Sequence, residues 1–334
     1  MVRIAVVGAG AWGINHVRAM SRTPGAELVM VCDSAAVARD HAQAISPRAR
    51  VVGDFGQVLA AGDVDAVVLA TPAKQHAEQA RMALNKGKHV LVEKPLALGA
   101  DDAQAVVAAA ETHKRTLMVG HLMLFHPAVE RLKALIDLGE LGRIFYIYAV
   151  RANLGRVRQD ENALWSLAPH DISMIEYLLG DQPESVSARG GIYLQSRIED
   201  VVFVNLRFRS GVSAQIQVSW LDPRKVRRLV IVGAQKMVEF DDVEPVEKLR
   251  IYDKGFDRPP AFTEYAQFLA IRDGDVHIPQ IPMAEPLERE CRHFVDCVEH
   301  GKRPLADGQS ALRVVRVLEA AQKSLESDGA PVEV

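Results

Sequence analysis

Cysteine is scarce in this chain: Cys32, Cys291 and Cys297 are the only three in 334 residues, and no two of them form a C-x-x-C pair. That excludes a disulfide scaffold and a thiolate zinc site, and it fits a reducing, cytoplasmic compartment. No uncharged apolar stretch reaches the roughly 18 residues that a membrane-spanning helix needs, so no membrane partner is expected. The apolar start from Val2 to Trp12 has the look of a signal-peptide core, but Asp33 and the charged run beyond it read as folded domain. An excess of one charge is lacking too. Forty Lys plus Arg stand against 43 Asp plus Glu, a formal charge of −3 with no dense basic block, so nucleic acid is not an expected partner. Internal repeats and low-complexity segments are absent. The remainder, 49% apolar and 25% charged, is the composition of an ordinary globular chain long enough for two or more domains.

The first part of the chain alternates short β-branched runs, at 3–7, 27–32, 50–52, 66–70, 89–92 and 115–119, with helical patterns at 15–22, 35–44, 75–86 and 103–113. That alternation predicts a doubly wound α/β domain with a parallel sheet over residues 1–122. Beyond it the pattern changes. A helix is expected at 127–138, a strand at 143–152 and a helix at 169–179. Strand-like runs follow at 185–188, 200–208, 213–218, 227–232 and 236–240, then helices at 286–300 and 310–324. Residues 123–334 therefore read as a second α/β domain with a large, open, mainly antiparallel sheet. Its closing helices are expected to pack back on the first domain, and a sheet face left to be buried points to a homo-dimer or homo-tetramer.

Gly8-Ala9-Gly10-Ala11-Trp12-Gly13 follows the first strand, opens the first helix, and precedes Asp33 at the end of the second strand by twenty residues. Gly8 permits the tight turn, Gly10 lets a pyrophosphate approach the backbone, and Gly13 lets the helix pack close to the sheet. Anionic phosphates suit the free amides of the helix start. Asp33 can accept both ribose hydroxyls while repelling a 2′-phosphate, so NAD is expected ahead of NADP. Trp12 reads as a packing side chain that shields the pyrophosphate turn.

Ligands of open α/β sheets gather at the carboxyl ends of the strands, which places Thr71-Pro72 and Glu93-Lys94-Pro95 at the nicotinamide half of such a cofactor. Lys94 can donate to an oxygen undergoing oxidation or reduction, and Glu93 can orient Lys94 or the ribose. A cis or otherwise constrained Lys94–Pro95 bond is expected. His76 either abuts the cofactor or simply begins a helix, and His121 either lines the cleft or caps a strand. In the second domain Pro169 reads as a helix start with His170 in its first turn. A histidine titrates near neutrality, so His170 can take a hydroxyl proton as hydride leaves the same carbon. Histidine spacing suggests no metal, and hydride transfer needs none.

These motifs, with Gly120-His121 and the closing Gly301-Lys302-Arg303-Pro304-Leu305, resemble in ordered combination the Gfo/Idh/MocA oxidoreductase family over nearly the whole chain. The resemblance implies an N-terminal Rossmann domain, a C-terminal α/β domain whose open sheet supports oligomers, and catalysis by Lys94 and His170. Many members place aspartate four residues before the catalytic histidine, where this chain has Ser166. A Lys-Asp-His trio is therefore not available from this segment. The run from Asn153 to Trp165 resembles the family's nucleotide-sugar branch, especially 3-dehydrogenases of a UDP-linked N-acetylated hexose. Arg156 and Arg158 would then bind a diphosphate, Asn153 and Asn162 would read hydroxyl or acetamido groups, Trp165 would cover a sugar face, and Ser166 would bond a hydroxyl. An inositol or free-sugar dehydrogenase is the alternative within the enzyme class. An NAD-binding regulator without turnover is the alternative outside it.

Overall fold

The computed structural model describes residues 1–155, 157–159, 161–257 and 270–334. The chain divides into two compact units, one of Met1–Phe125 with Ala284–Glu319, the other of His126–Met283 with Ala320–Val334.

In the first unit, strands β1 (Val2–Val7), β2 (Ala26–Cys32), β3 (Arg50–Val52), β4 (Ala66–Leu69), β5 (His89–Val92) and β6 (Leu117–Val119) form one sheet in the order β3-β2-β1-β4-β5-β6, every neighbouring pair parallel. Helices α1 (Gly13–Met20), α2 (Ala36–Ile45), α3 (Phe55–Ala60), α4 (His76–Asn85) and α5 (Ala100–Thr112) connect the strands. A parallel sheet is covered on both faces, so its strands must be apolar throughout rather than on alternate positions. β4 meets that demand: Ala66, Val67, Val68 and Leu69 are all fully buried. The chain order reverses between β1 and β4, which opens the crevice where ligands of this architecture sit. α3 was not foreseen. It is a short helix capped by Asp54, whose carboxylate accepts the Gly56 amide at 2.9 Å.

The second unit holds helices α6 (Pro127–Asp137) and α7 (Ala163–Leu179) and nine strands: β7 (Ile144–Ala152), β8 (Pro183–Gly191), β9 (Val201–Phe208), β10 (Ser213–Ser219), β11 (Val226–Gly233), β12 (Met237–Asp241), β13 (Leu249–Asp257), β14 (Ala270–His277) and β15 (Val332–Glu333). They form a single sheet in the order β14-β13-β12-β11-β7-β10-β9-β8-β15, antiparallel throughout except for the β7–β10 pair. Here the pattern does alternate. On β9, Val202, Val204, Leu206 and Phe208 are buried while Phe203, Asn205 and Arg207 face outward. α7 packs on β7, β9 and β10. A groove lined by Tyr146, Tyr148, Asn205, Arg207 and Gln215 marks the uncovered face.

Helices α8 (Pro286–His300) and α9 (Gly308–Glu326) close the chain, with α8 and the start of α9 in the first unit. Among the described residues no helix is long and apolar enough to cross a membrane.

Candidate active site

The glycine loop is built as its spacing requires. Gly8 has φ +88°, and a Cβ on it would lie 2.6 Å from the Ala70 carbonyl oxygen. A Cβ on Gly13 would meet the Gly8 carbonyl oxygen at 1.9 Å, so the helix approaches the strand as closely as backbone allows. Gly10 differs: nothing lies within 4 Å of where its Cβ would be. The one open position faces solvent at the start of α1, beside exposed Ala11 and Trp12. That open side, the helix-start amides and Asp33 suit the pyrophosphate and ribose of a dinucleotide. Asp33 also has a task that the spacing does not reveal. Its Oδ2 accepts the Ala9 amide at 2.7 Å and its Oδ1 accepts the Ala35 amide at 2.8 Å, tying the glycine loop to the turn after β2. Each carboxylate oxygen still has a lone pair for a ribose hydroxyl.

At the ends of β4 and β5, Lys94–Pro95 is cis. His76 lies between the two strand-end loops: its ring nitrogens are 2.7 Å from the Pro95 carbonyl oxygen and 2.8 Å from that of Thr71. This places His76 at the strand ends where the cofactor contact is expected, bridging the two loops. The Thr71 hydroxyl donates to Gln79 Oε1 at 2.7 Å, and Pro72 opens a short 3₁₀ turn into α4.

Glu93 is the hub of the first unit's polar groups. Its Oε1 sits 2.7 Å from His16 Nε2 on α1 and accepts the Trp12 indole N–H, and its Oε2 accepts the Lys94 amide at 3.2 Å. Trp12, expected as packing over the pyrophosphate turn, is 44% exposed and holds Glu93 instead. Burial would raise the Glu93 carboxyl, but the hydrogen bond and charge of His16, the Trp12 donor and the Lys94 charge outweigh it and hold the pKa below the ordinary value. Gly120 leaves room for this carboxylate, since a Cβ there would lie 3.2 Å from it. Next to Gly120, His121 is buried, neither ring nitrogen has a hydrogen-bond partner among the described residues, and its pKa is pushed down to about 4 by burial. Sequence reasoning passed over His16 and Glu290. One donor atom from each of His16, Glu93 and Glu290 lies within 4.8 Å of the other two. Pattern alone gives no signal for them, since each sits inside an amphipathic helix.

In the second unit α7 begins six residues earlier than expected. Asn162 is the cap, its Oδ1 accepting the Trp165 amide at 3.2 Å, and Pro169 lies inside the helix rather than at its start. His170 is therefore mid-helix and partly exposed, one turn beyond Ser166. Besides capping α7, Asn162 donates through Nδ2 to Glu199 at 2.7 Å and Gln322 at 3.0 Å, which leaves one lone pair of Oδ1 for a ligand. Trp165, expected to cover a sugar face, is buried, with 9% of its surface exposed. Asn153 Oδ1 accepts from Arg227. Arg158 keeps half its side chain in solvent, with Nε 3.2 Å from Glu161 Oε1. Arg156 lies outside the described residues. Asp171 does not stand in for the missing aspartate: Arg151 grips it with Nε at 2.6 Å and Nη2 at 3.0 Å.

Residues 2–121 match a family described as an oxidoreductase family with an NAD-binding Rossmann fold, and residues 129–239 match the GFO/IDH/MocA C-terminal domain. The chain belongs to the Gfo/Idh/MocA oxidoreductase family. A solved chain of the same fold from Magnetospirillum magnetotacticum MS-1 is 34% identical, with a TM-score of 0.82 and coverage of 96% of this chain and 99% of that one. Inositol 2-dehydrogenase of Rhodococcus erythropolis is 37% identical over 190 residues, 55% of each chain. UDP-N-acetylglucosamine 3-dehydrogenase of Acidithiobacillus ferrooxidans shares the fold at a TM-score of 0.80 and 23% identity, over 97% of both chains. The matches span 60% and 55% of the first two curated relatives. As a family member, the chain carries the family's NAD-binding Rossmann fold in residues 2–121.

Proposed function

We propose that this chain is an NAD-dependent dehydrogenase that oxidises a secondary hydroxyl of a sugar-type substrate. The observation that carries the reading is the strand-end arrangement at β5, where Lys94 follows a carboxylate fixed by three donors, in the same unit as the open glycine loop. The bound cofactor supplies the hydride acceptor. Asp33 holds the adenosine ribose and Gly10 admits the pyrophosphate, with Thr71 and Pro72 flanking the nicotinamide half. Lys94 stabilises the substrate oxygen as charge develops on it, a role for a preorganised cation. His170 accepts the hydroxyl proton, and Ser166, one turn away on α7, donates a hydrogen bond without biasing the base as a carboxylate would. His121 offers an unprotonated ring nitrogen to the substrate.

For the substrate we propose the C3 hydroxyl of a UDP-linked N-acetylated hexose, UDP-N-acetylglucosamine foremost. The support is the half-exposed Arg158 guanidinium, on the segment that leads from β7 to the cap of α7 and resembles the nucleotide-sugar branch. The inositol 2-dehydrogenase at 37% identity supports a second reading, a free cyclic polyol. A panel of nucleotide sugars, free sugars and inositols, read by NADH absorbance and product mass, separates the two. Equal turnover of free N-acetylglucosamine and its UDP derivative refutes the nucleotide reading, and no turnover of any member despite NAD binding favours a regulator. Asp33→Ala tests the cofactor preference, with discrimination against NADP expected to relax. A second copy of the chain is proposed to cover the sheet face that carries exposed Tyr146 and Phe203, to be checked by the mass of the particle in solution.

A further inference from the structure

One buried acid of the first unit has no part in that scheme. Glu290 on α8 has no exposed surface, and neither of its carboxyl oxygens has a hydrogen-bond partner among the described residues. It lies beside Glu93 and His16, and α8 packs on α1, which carries His16. Two carboxyls this close in a dry site do not both ionise, so the pair holds one proton. The two members are not equivalent. Glu93 has donors from His16, Trp12 and the Lys94 amide, whereas Glu290 has none. A carboxylate is stable where donors surround it, and a neutral acid is tolerated where they do not. The other titratable groups facing the pair are Lys94 and His121 at the ends of β5 and β6, and Cys291 on α8, which Glu288 also faces. Burial first, then the Glu93 charge, pushes the Glu290 carboxyl well above its ordinary value.

We propose that Glu290 is a positioning residue that stores the proton of a two-carboxyl pair, keeping Glu93 as the charged partner beside Lys94 and releasing that proton in part when oxidised cofactor binds. The coupling rests on the reading above, in which the nicotinamide half of the cofactor meets residues 93–95. A pyridinium ring there favours a second carboxylate; the neutral reduced ring does not. The step is an acid dissociation: the Glu290 O–H bond breaks, its electron pair stays on the carboxylate, and the proton passes to the solvent buffer.

Two measurements on the full chain test it. The first is cofactor-free stability against pH. A raised folded pKa contributes stability that is complete below the unfolded value, 4.5, and is lost as pH rises toward the folded value. Glu290→Gln and the uncharged, similarly sized Glu290→Met should both flatten that decline. The second is calorimetry of NAD+ and NADH binding in buffers of different ionisation enthalpy, from neutral to alkaline pH. Wild type should release a fraction of a proton with NAD+ and none with NADH, and Glu290→Gln should bind NAD+ with that difference lost. Identical stability profiles in wild type and both variants overturn the stored proton. NAD+ binding with an unchanged proton count in Glu290→Gln overturns the coupling, and no NAD+ binding overturns the coupling together with the cofactor reading. A stoichiometric divalent metal that leaves with Glu290→Gln would show that a cation, not a proton, joins the pair.

Discussion

Replacing Asp171 tests how far the buried Arg151–Asp171 ion pair holds α7 against the sheet. The Arg151 and Asp171 side chains are only 7% and 3% exposed, and the guanidinium meets the carboxylate through two nitrogens at 2.6 and 3.0 Å. Asp171→Ala leaves the Arg151 charge buried with no counter-ion. It also removes an attraction felt by Arg227, whose pKa burial and the Arg151 charge already lower and which Asp171 and Asp242 support. Removing one partner of such a pair costs about 3–5 kcal/mol. At roughly 2–4 °C per kcal/mol for a unit of this size, the transition that reports the second unit should fall by about 6–20 °C in scanning calorimetry. The companion variant is decisive. Arg151→Met combined with Asp171→Leu leaves no orphaned charge and should regain most of the loss, because well-packed apolar replacements of a buried pair are often neutral. A fall of less than about 2 °C in Asp171→Ala, or a double variant as unstable as the sum of its parts, would refute the reasoning.

The glycine loop predicts a separation of stability from binding. Gly10→Ala, with open space around the added methyl, should keep the wild-type Tm and lose NAD affinity in titration calorimetry, whereas Gly13→Ala, facing a carbonyl at 1.9 Å, should lower Tm as well. Lys94→Ala should reduce kcat by about a hundredfold or more while NAD binding changes little, since only the developing charge loses its partner; stopped-flow turnover beside cofactor titration checks it. His121 gives the chain an acid limit. Its folded pKa of about 4 lies below the ordinary 6.5, so the neutral form contributes stability that is complete above 6.5 and lost as pH falls toward 4, on the order of 3 kcal/mol. His121→Phe should flatten that limb in acid-unfolding curves, and an unchanged limb would clear His121 of the effect.

Most of the first unit was legible because its constraints are local. Six parallel strands showed as apolar runs, and the boundaries at 50–52 and 89–92 coincide with β3 and β5, since a strand buried on both faces tolerates no polar interruption. α3 was missed because six residues carry too little periodicity to register. The second unit was legible in kind but not in detail. Pro169 carries the ordinary mark of a helix start, yet the cap is Asn162, and only the completed turn from Asn162 to Trp165 reveals it. β13 and β14 escaped notice because Gly255, Gly274 and several charges interrupt their apolar pattern.

The sequence by itself determined the parallel α/β unit, the glycine loop with Asp33, and the strand-end lysine, because each follows from backbone geometry within a few residues or from a fixed strand–turn–helix spacing. Only the tertiary structure decided who partners whom. His16 meets Glu93 across 77 residues, and Glu290 approaches both from a helix near the end of the chain. Asn162 caps α7, His76 bridges two strand-end loops and Trp165 is buried. The physical reason is that a polar group's role depends on whether its hydrogen bonds are already satisfied and how far it is removed from water, and both are set by chain segments remote in sequence.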